Sequence, residues 1–107
     1  MAQDKVSQRY ARAIFDYLKD SSKVRDLIKE LTSFALLIEG HSELLLVLNS
    51  AVYSEQERAG VIEDLVAKTK LSEDSKKVLL VLSSAKRLDH LKAVTEKLQQ
   101  ILQIGRA

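Results

Sequence analysis

Between positions 24 and 38, Val24, Leu27, Ile28, Leu31, Phe34, Ala35 and Ile38 recur at the spacing i, i+3, i+4, i+7. That spacing gathers all seven side chains on one face of a helix but scatters them over both faces of a strand, so it fixes the type of element. Leu91, Val94, Leu98, Ile101 and Leu102 repeat the pattern near the end of the chain. Little in the composition opposes helix: proline is absent, and glycine occurs only three times in 107 residues. No run alternates β-branched and polar residues between turn signals, so no sheet is expected. The expectation is an all-α fold, an antiparallel six-helix bundle forming a single domain over 1–107. A chain of this length can bury a core without disulfide or metal staples.

Short polar breaks divide the chain. They lie at Ser21-Ser22, Gly40-His41-Ser42, 49–54, Leu71-Ser72 and 85–88. The helices expected between them are roughly 4–20, 23–39, 42–48, 55–69, 73–85 and 88–103. Ser54-Glu55-Gln56-Glu57 has the form of a capping box, in which the serine oxygen accepts from the third backbone N–H and Glu57 reaches back. Ser72 is a candidate N-cap, and Glu73 and Asp74 behind it suit the positive end of a helix. Gly40 fits the left-handed position after a helix end, or it is an ordinary loop glycine.

Two helices are more apolar than one core face requires. With residues about 100° apart, Val6, Tyr10, Ala11, Ala13, Ile14, Phe15, Tyr17 and Leu18 fill an arc of about 200° on the first helix. Lys5, Arg9, Arg12, Asp16 and Lys19 hold the rest. The fifth helix carries Val78-Leu79-Leu80-Val81-Leu82 in a row. Val78, Leu82 and Ala85 make one face of it, while Leu80 and Val81 point away. Such helices are either central or covered by something outside the domain.

Catalytic chemistry has nothing to stand on in this chain. There are no cysteines, which excludes disulfides and thiolate metal sites. His41 and His90, the two histidines, are expected to be solvated, His90 on the polar side of the last helix. No His/Asp/Glu spacing suits a metal, the three glycines are isolated rather than in a phosphate loop, and no serine has an evident base. The carboxylates pair more naturally with Lys or Arg one turn away. No cofactor is expected, and no enzyme. The net charge is +2 with both signs mixed along the chain, against the clustered basic face usual for nucleic-acid binding. No run of about 18 apolar residues offers a membrane span, and residues 1–5 lack the apolar core of a signal peptide. A reducing, aqueous compartment is expected.

The stretch Val6-Ser7-Gln8-Arg9-Tyr10-Ala11-Arg12-Ala13-Ile14-Phe15 resembles the opening helix of ATP synthase delta subunits, approximately V-A-x-x-Y-A-x-A-L-F. Ser42-Glu43-Leu44-Leu45-Leu46-Val47-Leu48-Asn49 resembles that family's short third helix and the asparagine after it. Val52-Tyr53-Ser54-Glu55-Gln56-Glu57-Arg58 resembles its capped fourth-helix start, and 78–88 its fifth helix and the following Arg-Leu pair. The matches keep their order over about 6–98. Two departures stand out. Ala85-Lys86 occupies the place where the family often has Asn-Gly, which puts a left-handed glycine turn between the last two helices in doubt. Ser50 stands where proline is common.

The resemblance is to the N-terminal domain of the delta subunit (OSCP-like) of bacterial F-type ATP synthase. It implies a non-catalytic subunit of the peripheral stalk connection, on the cytoplasmic face of the inner membrane and without direct membrane insertion. Such a domain holds the catalytic head static during rotary ATP synthesis. It also implies two partners. The N-terminal segment of an alpha subunit would dock as an amphipathic helix between helices 1 and 5. The peripheral-stalk b subunit would bind through a C-terminal region that this chain, ending at Ala107, lacks as a cut-down or short form. On the helical wheel, Ala11, Phe15 and Leu18 suit the core, which leaves Val6, Tyr10, Ala13 and Tyr17 on helix 1 to face Lys77, Val81 and Ser84 on helix 5. A different class of function is a NusB-like helical RNA-binding antitermination factor, whose family also opens on a basic, alanine-containing helix. Lys5, Arg9 and Arg12 would then contact phosphates. The delta matches are longer.

The residues expected to be largely buried are Phe15, Leu18, Leu27, Leu31, Phe34, Leu65, Val78 and Leu82.

Overall fold

The computed structural model describes the backbone of residues 5–106 and side chains through 103. The expected helix start at position 4 and most of residues 1–5, expected to form no signal peptide, lie outside the described residues. Six α-helices follow one another: α1 Lys5–Leu18, α2 Ser21–Glu39, α3 Ser42–Asn49, α4 Glu55–Thr69, α5 Glu73–Ser84 and α6 Leu91–Arg106. A short 3₁₀ turn, Leu88–His90, precedes α6, and there is no strand among the described residues. The expected all-α class and six helices are therefore observed.

α2 lies at the centre. Its stripe of Val24, Leu27, Ile28, Leu31, Phe34 and Ile38 is buried along its whole length, as its spacing requires. α6 packs against both α1 and α2, while α4 packs against α5. Leu91, Val94, Leu98 and Leu102 of α6 join Leu48, Ile62, Leu79, Leu82 and Leu88 in the same core. Of the residues expected inside, Leu27, Leu31, Phe34 and Leu82 are fully buried. Phe15, Leu18, Leu65 and Val78 are only half-buried and pack against the core from its edge.

The helix ends follow local chemistry. Ser54 makes the complete capping box with Glu57, donor and acceptor both satisfied. Ser72 caps α5 by accepting from the Ser75 N–H at 3.3 Å. The first break falls at Lys19 and Asp20, not at Ser21-Ser22. The Asp20 carboxylate accepts from the N–H groups of Ser22 and Lys23 at 2.9 and 3.4 Å, so the two serines belong to the first turn of α2. Gly40 is not left-handed: its φ is −78°. The left-handed positions are held by Lys19, Lys70 and Lys86, with φ of 58°, 58° and 57°. At the end of α5, the Lys86 N–H donates to Ser83 O at 3.0 Å and the Arg87 N–H to Leu82 O at 2.8 Å. This is the paired arrangement that normally recruits glycine, here formed by a lysine, so the turn survives the Ala85-Lys86 departure.

Polar ties fix the loops. Arg58 is only 4% exposed, and its guanidinium donates to the carbonyls of Ser50 and Tyr53, holding the loop before α4. Asn49 donates to Asp89 at 3.0 Å and accepts from the Leu88 N–H at 3.3 Å, joining the end of α3 to the 3₁₀ turn. Glu30 of α2 accepts from the Ser72 N–H and hydroxyl and from the Ser75 hydroxyl. Burial pushes the Glu30 carboxyl up, but these three hydrogen bonds together hold it below its ordinary value. That carboxylate also faces the positive end of α5.

Candidate functional site: the groove between the first and fifth helices

The core face of α5 is rotated from the one expected. Ser75, Leu79, Leu82 and Ser83 are buried, while Val78 is half-buried and Ala85 is exposed. A reading that counts only apolar residues overlooks two serines that are small enough to sit inside. The Ser75 hydroxyl is satisfied by Glu30. The rotation turns Val81, 54% exposed, outward. On α1, Ser7 and Ala11 are buried against the bundle, and Tyr17 is 67% exposed. α1 leans on α6, and α5 leans on α4, so the two helices stand apart with a groove between them.

The groove has a volume of about 390 Å³ and is almost wholly apolar. Tyr10, Ala13, Ile14, Tyr17 and Leu18 form the α1 wall, and Asp74, Lys77, Val78 and Val81 the α5 wall. Leu27 of α2, itself 2% exposed, also lines it. Ala13 narrows its wall to a single methyl. Lys77 Nζ donates to the Tyr17 hydroxyl at 3.4 Å and lies 5.8 Å from the ring centroid, a polar bridge at one end. A second hollow, of about 330 Å³, shares Tyr10 and Ala13 with the first and is completed by Val6, Arg9 and Arg87.

Five of the seven expected residues therefore line one groove: Tyr10, Ala13, Tyr17, Lys77 and Val81. Val6 lines the adjoining hollow. Ser84 lines neither; its hydroxyl donates to Glu55 at 2.7 Å, which ties the end of α5 to the start of α4. Sequence reasoning missed Leu27, assigned wholly to the core stripe, and Arg87, which lies past the end of the helix. It also gave Val78 and Leu18 to the core, whereas both are shared between core and groove.

His90 is not solvated on the polar side of the last helix. It is half-buried in the 3₁₀ turn, and its Nδ1 is 3.2 Å from the Ser7 hydroxyl, joining the turn to α1. His41 is exposed, as expected, and its Nδ1–H donates to Leu37 O at 3.0 Å. Among the described residues no cluster of three or more His, Cys, Asp or Glu could hold a metal. No single described helix is long and apolar enough to cross a membrane; α2 and α3 reach that apolarity only together, across a bend of 104°.

The match to known proteins decides the family. The model of the ATP synthase delta (OSCP) subunit matches residues 6–106. The chain belongs to this family. The family is one of structural ATP synthase subunits, not catalytic ones. Among its relatives is the ATP synthase subunit delta of Anaeromyxobacter dehalogenans strain 2CP-C, 30% identical over 90% of this chain and 54% of that protein. The subunit of the same name from Syntrophus aciditrophicus is 28% identical over 85% of this chain and 50% of its own length. That of Rickettsia bellii is 28% identical over 95% and 54%. The chain thus spans about half the length of these relatives. No solved structure matches it. With the family established, the RNA-binding alternative is set aside.

Proposed function

We propose that this chain is the N-terminal domain of a delta subunit of F-type ATP synthase, acting as a static connector between catalytic head and peripheral stalk. In this reading the α1–α5 groove receives the N-terminal segment of an alpha subunit as an amphipathic helix. The b subunit of the stalk is engaged through the C-terminal region of the longer family proteins. The complex stands on the cytoplasmic face of the bacterial inner membrane, with this domain peripheral to it. The long helices are read as alternating in direction, which the two-residue link from α1 to α2 and the three-residue link from α4 to α5 favour.

The observation that carries this reading is the groove itself. An open apolar slot, with the small Ala13 in one wall and an apolar lining completed by Leu27, suits one face of a helix laid along it. Tyr10 and Tyr17 offer large rings whose hydroxyls can remain wet, a frequent arrangement at interfaces. A binding role asks of the domain only that it hold this shape.

The test is a titration of the domain with the N-terminal peptide of the cognate alpha subunit, followed by amide chemical shifts. Shifts confined to α1, α5 and Leu27 are expected. Absence of binding, or shifts centred on α3 and α4, would count against the assignment.

A further inference from the structure

The two ends of the groove differ in charge. At the end formed by Tyr17 and the start of α5, Lys77 is engaged with Tyr17, and Asp74 stands one turn before it, so the charges there offset. At the other end the hollow is lined by Val6, Arg9, Tyr10, Ala13 and Arg87, two arginines and, among the described residues, no carboxylate. Neither Arg9 nor Arg87 has a side-chain partner among the described residues. The hollow is not a separate site, because Tyr10 and Ala13 line both it and the apolar slot. A segment that fills the slot and continues past Ala13 enters the hollow that the two arginines line.

We propose that the hollow of Arg9 and Arg87 receives a carboxylate side chain flanking the apolar stripe of the docked helix, and that this contact fixes the direction and register in which the helix lies. The inference rests on the docking reading above. An apolar stripe in a smooth slot is weakly specified along its length, since a shift of one turn or a reversal still presents apolar residues to the walls. A charge at one end only removes that degeneracy. The end of the segment that bears the acid is drawn to Arg9 and Arg87, and a reversed helix would leave it where Asp74 and Lys77 offset each other, without that attraction. Arginine suits the task because its planar fork grips a carboxylate with two parallel hydrogen bonds. Both arginines are exposed in the free domain, so the pair forms at the rim of the interface and contributes more to orientation and association rate than to affinity.

The experiment uses the whole chain and the cognate alpha N-terminal peptide, spin-labelled at one end or the other. The expected result has three parts. The label at the acidic end broadens amides near Arg9 and Arg87, and the label at the opposite end broadens those near Asp74 and Lys77. Arg9→Gln and Arg87→Gln each weaken binding roughly threefold to fivefold, and the loss disappears when the peptide's acid is changed to its amide. Raising the salt concentration weakens the wild type more than the double variant. If the peptide binds the groove but both arginine variants bind it equally well at every salt concentration, the carboxylate contact is wrong while the docking reading stands. If both labels broaden both ends equally, the direction is not fixed and the inference also fails. If the wild type does not bind the peptide, the docking reading itself has failed. A helical circular dichroism spectrum for each variant keeps these outcomes separate from misfolding.

Discussion

Lys77 Nζ lies 3.4 Å from the Tyr17 hydroxyl and 5.8 Å from the centre of its ring, so the near end of α5 is bridged to the far end of α1 across an otherwise open groove. The contact spans 60 positions in sequence and involves two exposed side chains. It contributes little to stability, because exposed polar and cation–ring contacts are worth about 1 kcal/mol or less. Its effect is local: it links the Tyr17 side chain in one groove wall to Lys77 in the other.

Adjacent residues on α5 should behave oppositely, because the helix has one core face and one open face. Leu82 is fully buried and Val81 is 54% exposed. Leu82→Ala should destabilise the fold by about 2–5 kcal/mol. Val81→Ala should change it by no more than about 0.5 kcal/mol. Urea unfolding of the two variants measures both.

Glu30 should make the stability depend on pH in a known direction. Its folded-state carboxyl titrates below the ordinary 4.5, so its contribution is fully present above the unfolded value. That contribution is lost as pH falls through the lower folded value. Glu30→Gln should flatten the stability profile below about pH 4.5 and should leave the slope near neutral pH unchanged. Thermal unfolding over a pH series for both proteins tests this.

Lys86 holds a left-handed backbone, φ 57°, at the turn where glycine is the usual occupant. A side chain there costs about 1 kcal/mol, part of which glycine returns through its greater freedom in the unfolded chain. Lys86→Gly should therefore stabilise the domain by about 0.5 kcal/mol, seen as a rise in Tm. Gly40 uses no such freedom, since its φ of −78° is open to any residue.

Much of this fold was legible because its signals are local. The α2 stripe and the Ser54 and Ser72 caps depend only on near neighbours, and the structure has them where the spacing puts them. What was misread depends on tertiary partners. The rotation of α5 follows from burying Ser75 and Ser83, and nothing near Ser75 in sequence announces Glu30, 45 residues away. His90 reads as a surface residue until the 3₁₀ turn brings it to Ser7, 83 residues away. The wide apolar arc of α1 is a local signal, but that α1 and α5 face one another across a groove was implied by the family resemblance and not by the spacing. Ser84 lies outside the groove lining and bonds Glu55 of another helix, which spacing along α5 does not announce. Arg87 was missed because it belongs to no helix and periodicity cannot reach it.

Whether a partner helix fills the slot beside Ala13 is decided by calorimetric titration of the alpha N-terminal peptide into wild-type and Ala13→Asp domains. Ala13 is exposed when the groove is empty, so the aspartate meets water in the free domain and an apolar helix only on docking. The unfolding midpoint should change little. The affinity should fall by on the order of 3 kcal/mol, more than a hundredfold, because an unpaired charge is then desolvated. Val81→Ala, which trims the opposite wall, should weaken binding by about 1 kcal/mol. If both variants fold normally and bind the peptide as tightly as the wild type does, the partner does not occupy this groove.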